Sequence, residues 1–409
     1  MPINARHLAT IAGIGATLAA AGMACAQSGP PVPQAAPNAS GQKPAFVGQT
    51  RATEQHSELT LETKEVAAGL AHPWAVEFLP DGRMLVTERD GRMRVVSQEG
   101  HVSDPIDGLP EVDARDQGGL LDVVLSPSFA RDRTIYWSYA ELRDGGANGT
   151  AVARARLTED LGRVENVEVI FRQMPSWRST KHFGSRLVWD GEGHLYVTLG
   201  ERSLPEPRKL AQDLGTHLGK VVRINPDGSV PEDNPFVGRE GIMPEIWTYG
   251  HRNIQGAVLH PETGELWTIE HGARGGDELN QPQPGRNYGW PVITYGEDYS
   301  GKPIGEGITA REGMEQPVYY WDPVIAPGGM LFYTGDLFRS WKGDLLVASL
   351  RPGALVRLDM AGGRVVGEEH LLTDVGRLRD VAQGPDGALW VITDKDDGEL
   401  LKLTPSKDS

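Results

Sequence analysis

The chain has 409 residues, with 56 acidic against 40 basic side chains, a formal net charge of -16 and one cysteine. Such acidity argues against nucleic acid or an anionic membrane as partner, and a single thiol excludes an internal disulfide framework and a cysteine-built metal site. No segment approaches the roughly 20 apolar residues of a membrane span.

At the amino terminus, Arg6 and His7 precede an apolar run of small residues over 8–22, followed by Ala24, Cys25 and Ala26. An Ala-x-Ala site after such a run predicts a secretory signal over 1–26, cleaved after Ala26. Acylation of Cys25 as a lipoprotein is the alternative; Gly22 stands where that signal usually carries leucine. Export without disulfides points to a periplasm. Residues 27–57 are rich in Pro, Ala, Gln, Ser and Gly, which predicts a disordered or extended linker.

From residue 58 a unit recurs: an apolar strand, a glycine-containing turn, then a strand ending in polar residues. The copies lie at 74–88, 120–139, 186–201, 257–270, 330–350 and 380–394. Turns such as Pro80-Asp81-Gly82, Asp190-Gly191 and Pro385-Asp386-Gly387 are hairpin chemistry. The strands between them are β-branched and aromatic, and the 51 glycines, nearly double the usual share, suit many tight turns. These features predict an all-β fold, a six-bladed β-propeller of four-stranded antiparallel blades over 58–405, with a tail at 406–409. A sandwich or barrel accommodates six similar hairpins with unequal insertions less naturally.

The phase of the repeat locates a face. Gln117, His182, Arg252, Asn253, Arg377 and Arg379 come just before first strands. Glu201, Glu270, His271, Gly272 and Arg351 come just after second strands, so all should meet at one mouth. Solvated blade rims explain scattered charge. They do not explain four arginines and a histidine in one phase of an acidic protein. The segment 245–290 adds a glycine-rich turn from Gly272 to Gly276, followed by Asp277 and Glu278. Carbonyl and carboxylate oxygens close together suit a hard cation such as calcium, and a nearby arginine suggests an anionic ligand bridging both charges. A polar hairpin with glycines for turn geometry is the plainer reading of that segment.

Several motifs stand in order along the chain. They are Gln-Gly-Gly-Leu-Leu-Asp at 117–122, His-Phe-Gly-Ser-Arg-Leu at 182–187, Tyr-Gly-His-Arg-Asn at 249–253 and Glu-His-Gly at 270–272. Asn-Tyr-Gly-Trp-Pro at 287–291 and Arg-Leu-Arg-Asp at 377–380 complete the set. Together, over about 70–405, they resemble the soluble aldose sugar dehydrogenases that depend on pyrroloquinoline quinone (PQQ), relatives of soluble quinoprotein glucose dehydrogenase.

The resemblance implies hydride transfer from the anomeric carbon of an aldose to the quinone, giving a lactone. His182 would be the general base and Glu201 its orienting acid. Arg252 would face the quinone oxygen that gains charge. Arg351, Arg377 and Arg379 would hold the cofactor, with Gln117 and Asn253 lining the cofactor and sugar sites. Calcium at the active site would lie on the carbonyls of Gly272 and Ala273, and a second, structural calcium would use Glu278, Tyr288 and Asp298. Two positions depart from the family pattern: Arg351, where lysine is frequent, and Ala273, where proline is commoner. The electron acceptor is not identified by the sequence. The rivals are a calcium-dependent six-bladed lactonase or phosphotriesterase, and a non-catalytic propeller that binds a protein or glycan.

Overall fold

The computed structural model describes residues 29–406. The expected signal, its cleavage near Ala26, the lipoprotein alternative at Cys25 and residues 407–409 lie outside the described residues. Six antiparallel sheets follow one another along the chain. Their innermost strands are Pro73–Phe78, Leu120–Leu125, Gly184–Trp189, Ile254–Leu259, Pro327–Phe332 and Leu378–Gln383, which touch in cyclic order, the last against the first. This is the six-bladed propeller expected from the repeat. The ring closes because Leu61–Leu70 pairs antiparallel with Gly398–Pro405, so both ends of the propeller share the last blade. The first blade departs from the four-stranded plan, with three strands ending at Arg92–Val96.

The second strand of most blades is fully buried. Met84–Glu88, Leu195–Leu199, Leu266–Glu270, Leu345–Ser349 and Leu389–Thr393 are short runs of β-branched, aliphatic and aromatic residues packed on both faces. In all six blades the register between first and second strands slips near the start of the inner strand, as between Gly184 and Leu187 or Leu378 and Asp380. A bulge turns the strand and re-aims its side chains. Repeated at the same end of each blade, it shapes one mouth of the propeller.

Arg186 bridges inner strands of different blades. Its guanidinium donates to Asp122 at 2.9 Å and to Asp380 at 3.3 Å, its Nε to the carbonyl of Gln255 at 3.1 Å, and it stacks over Trp74 at 4.4 Å. A Cβ at Gly329 would stand 1.6 Å from Asp380 Oδ1, so the pair fits only because that position is glycine.

The sequence predicts a disordered or extended linker over 27–57, of which residues 29–57 lie within the described structure. Residues 29–57 form a strap on the propeller. Thr53–Glu54 adds a parallel strand to the outer edge of Arg364–Leu371. The buried carboxylate of Asp322 accepts the N–H groups of Asn38 at 2.8 Å and Ala39 at 2.9 Å, and Gln49 is wholly buried, donating to the carbonyl of Pro317 at 2.9 Å. The strap has few large apolar side chains of its own. It is held by pairing its backbone with polar groups that the propeller presents, which composition does not reveal.

Candidate active site

His182 stands in the short segment leading into the inner strand Gly184–Trp189, with a left-handed backbone, φ 53°. Its N–H donates to Gln117 Oε1 at 2.9 Å, and the next-but-one N–H, of Gly184, to Asn253 Oδ1 at 3.1 Å. The imidazole Nδ1 lies 3.1 Å from Glu201 Oε1. Glu201 is wholly buried just after Leu195–Leu199, and its other oxygen accepts the N–H of Ser203. Burial pushes the Glu201 carboxyl up, but His182, Arg252 and that N–H together bring it below its ordinary value. Burial, then the charge of Arg252, holds the His182 imidazole down at about 4. At neutral pH this is a neutral ring that donates Nδ1–H to a carboxylate and keeps Nε2 as a proton acceptor.

Arg252 is buried beside this pair. Its N–H donates to Glu270 Oε2 at 2.6 Å, Nη1 donates to the carbonyl of His271 at 3.0 Å, and the guanidinium lies 5.2 Å from the Trp290 ring centre. Its Nε is buried without a hydrogen-bond partner among the described residues.

Next to these groups lies a cavity of about 440 Å³ whose wall includes Gln117, Phe183, Gly184, Asn253 and His271. Four arginines line it: Arg89, Arg351, Arg377 and Arg379. Asp394 alone balances two of them, accepting from Arg377 at 2.6 Å and Arg379 at 2.8 Å, and it also meets His72 at 2.9 Å. Those cations overcome its burial and hold its carboxyl far below the usual range. No carboxylate among the described residues pairs with Arg89 or Arg351. An excess of guanidinium in a concave wall is a site for an anion carrying several carboxylates. The cavity thus fits a cofactor with the charge and size of PQQ.

A second cavity of about 10 Å³, also lined by His271, is walled by Arg252, Glu270, Gly272, Gly276, Glu278 and Trp290. That volume is close to one water or one ion. Glu270 and Glu278 face each other as a cross-strand pair. Glu270 has His251 at 2.8 Å and the Arg252 N–H, whereas the hydrogen bond of Glu278 is a long one from Asn280, 3.3 Å. Burial, then the charge of Glu270, pushes the Glu278 carboxyl well up. Two carboxylates, Glu270 buried and Glu278 half-buried, beside an ion-sized space fit a hard dication. Asp277 is a different case: it accepts N–H groups from Gly272, Ile325 and Ala326 at 2.7–2.8 Å and so fixes the glycine turn itself.

The expected metal residues therefore divide. Gly272 and Glu278 meet at the small cavity, and Ala273 is buried in the same turn. The phenol of Tyr288 donates to the carbonyl of Gln281 at 2.6 Å and its ring stacks on His251. Asp298 lies in a turn, bonded to Ser300 at 2.8 Å and 3.8 Å from Arg208, and is not part of the wall of the Glu278 cavity. Arg89 and Asp394 were not singled out from the sequence. Each directly follows a second strand, Met84–Glu88 or Leu389–Thr393, the phase that singled out Arg351.

Comparison with known proteins came down on one family. The glucose/sorbosone dehydrogenase family matches residues 70–402. The aldose sugar dehydrogenase YliI of Escherichia coli is 46% identical over 351 residues, 85% of this chain and 93% of that protein. Quinoprotein glucose dehydrogenase B of Acinetobacter calcoaceticus is 28% identical, over 83% and 88% of the two chains. The crystal structure of the soluble E. coli aldose sugar dehydrogenase in its apo-form superposes with a TM-score of 0.82 at 46% identity, covering 85% of this chain and 100% of that one. The PQQ-bound aldose sugar dehydrogenase of Streptomyces coelicolor gives a TM-score of 0.69 at 28% identity, covering 85% and 100%.

Proposed function

This chain belongs to the glucose/sorbosone dehydrogenase family, and from that premise we propose that it is an aldose sugar dehydrogenase dependent on PQQ and calcium. The observation that carries the reading is the neutral, carboxylate-oriented His182 beside Arg252, whose chain neighbours Phe183 and Asn253 line a cavity with four arginines. Bound there, the quinone supplies a two-electron acceptor for hydride from the anomeric carbon of the sugar.

The chain's own groups do the rest. His182 Nε2 takes the proton of the anomeric hydroxyl as the carbon–hydrogen bond breaks, leaving a lactone. Glu201 holds Nδ1–H and stabilises the imidazolium that forms. Arg252 places positive charge where an oxygen becomes negative. Arg89, Arg351, Arg377 and Arg379 would hold the cofactor's carboxylates, and Gln117 and Asn253 would line the cofactor and sugar sites. Calcium would be held by the Gly272 and Ala273 carbonyls, and a second, structural ion by Glu278. Reoxidation requires an external electron acceptor, and the amino-terminal signal would deliver the enzyme to the periplasm.

A lactonase of similar fold would need side-chain metal ligands on the propeller axis. Here Asp122 and Asp380 are engaged by Arg186 instead. The deciding experiment mixes cofactor-free protein with calcium and PQQ and follows dye reduction on adding an aldose. Activity should need both additions; lactone hydrolysis without quinone would favour the rival.

A further inference from the structure

Arg202 is wholly buried, with its guanidinium 3.7 Å from the centre of the Phe183 ring. None of its hydrogen bonds goes to a carboxylate. Nη1 donates to the carbonyls of Lys181 at 2.7 Å and His182 at 3.1 Å, and Nη2 to the carbonyl of Ser179 at 2.7 Å and to Asn148 Oδ1. Ser179 Oγ returns a bond to the Arg202 carbonyl at 2.6 Å. A cation taken out of water without an ion-pair partner is an expensive arrangement. Burial depresses this guanidinium to about 9. Ordinary loops are tied down more cheaply, so the placement calls for a reason.

The reason lies in what the fork holds. Three of its four acceptors are carbonyls of residues 179, 181 and 182, the segment that ends in His182. That segment is strained, since His182 has φ 53°, and Arg202 and Ser203 opposite it have φ 72° and 65°. Non-glycine residues persist in the left-handed region only where their surroundings over-determine them. The segment is also pressed close to the end of the neighbouring strand. A Cβ on Gly200 would lie 2.0 Å from the His182 carbonyl oxygen, so the approach depends on glycine there. Glu201, between Gly200 and Arg202, carries the carboxylate on Nδ1 of the same histidine.

We infer that Arg202 is a positioning residue for His182: its planar fork gathers the carbonyls of 179, 181 and 182, and so fixes where the imidazole stands against Glu201, next to the cavity that Phe183 and Gly184 line. This rests on the reading of His182 as the base. Lysine would not replace it, because a tetrahedral ammonium cannot serve these acceptors in one plane or lie flat on Phe183.

The test uses Arg202→Met, which keeps side-chain length without donors, with Arg202→Lys, His182→Ala and the double variant His182→Ala/Arg202→Met. Turnover and KM are measured in full-length enzyme reconstituted with calcium and PQQ; amide hydrogen exchange and melting are measured in the cofactor-free protein. Arg202→Met should lower kcat about 100-fold, the scale of an ångström-level misplacement, with KM little changed. Exchange should quicken at 179–184 alone. Arg202→Lys should recover part of the loss, and the double variant should be no slower than His182→Ala, since both changes act through one group.

Wild-type kcat in Arg202→Met, or a further full loss in the double variant, overturns the inference. So does a global loss of stability with unchanged turnover per folded molecule. If Arg202→Met does not fold, Arg202→Lys decides: unchanged kcat and unchanged exchange at 179–184 would overturn it. If His182→Ala keeps its turnover, the assignment of the base has failed instead, and the inference falls with it; exchange at 179–184 then reports separately whether the clamp exists.

Discussion

The N–H of Glu201 donates to the carbonyl of Arg252 at 3.0 Å. The residue proposed to orient the base and the residue proposed to carry the compensating charge are thus joined through backbone, across two blades. Displacing either should disturb both, and the pair behaves as one unit.

His182→Ala should leave PQQ binding nearly intact and lower turnover about 100-fold or more, the usual worth of a positioned base. Glu201→Gln should lower turnover as well, because an amide does not stabilise the imidazolium. Stopped-flow reduction of bound quinone by aldose reads both. Wild-type turnover in His182→Ala would place the base elsewhere.

The pH dependence has a definite sign. The imidazole is held down at about 4, and only its neutral form accepts a proton. Hence kcat/KM should stay level across neutral pH and fall as pH drops towards that value. Arg252→Gln removes the second of the two main causes of the depression, so its acid limb should move up towards the ordinary imidazole range of about 6.5. An acid limb at the same pH in both proteins would contradict this.

The cofactor arginines should not be equal. Arg379 is buried, while Arg351 and Arg377 are on the exposed rim. Arg379→Ala should weaken PQQ binding by about 1.5–3 kcal/mol, the range for a charged hydrogen bond. Arg351→Ala and Arg377→Ala should cost less, and their effects should shrink with salt. Fluorescence titration at two ionic strengths separates these cases. Equal losses at all three positions would remove the distinction.

Calcium should raise the melting temperature of the wild type, by about 2.7 kcal/mol of added stability at a hundredfold excess over Kd. Glu278→Gln should abolish most of that response while affecting turnover less. A chelated wild-type protein that melts unchanged would exclude the ion from the Glu270–Glu278 cavity.

Arg186→Ala should destabilise the propeller by about 3–5 kcal/mol, because Asp122 and Asp380 would remain buried without their cation. Urea unfolding measures this. A loss below about 1 kcal/mol, the scale of an ordinary hydrogen bond, would mean that water replaces the guanidinium.

The repeat was legible because each hairpin carries its own local turn chemistry, and the site face followed from where polar residues fall in that repeat. His182, Glu201 and Arg252 do meet. What escaped depends on distant partners. The strap is held by Asp322 and by the edge of Arg364–Leu371, neither of which is visible from its own composition. Leu61–Leu70 pairs with a strand at the opposite end of the chain. Arg202 looks like a surface charge next to Glu201 until the carbonyls that surround it are known. Asp298 follows from the family resemblance alone, and in the structure its Oδ1 accepts from Ser300.

The shared last blade has a consequence for biogenesis. Leu61–Leu70 leaves the ribosome early and must wait for nearly the entire polypeptide before Gly398–Pro405 exists to receive it. Arg377, Arg379 and Asp394 belong to that same late blade. The part of the proposed anion wall formed by Arg377, Arg379 and Asp394 is therefore made late, long after Arg89 of the first blade, and a chain clipped before that blade would lack it.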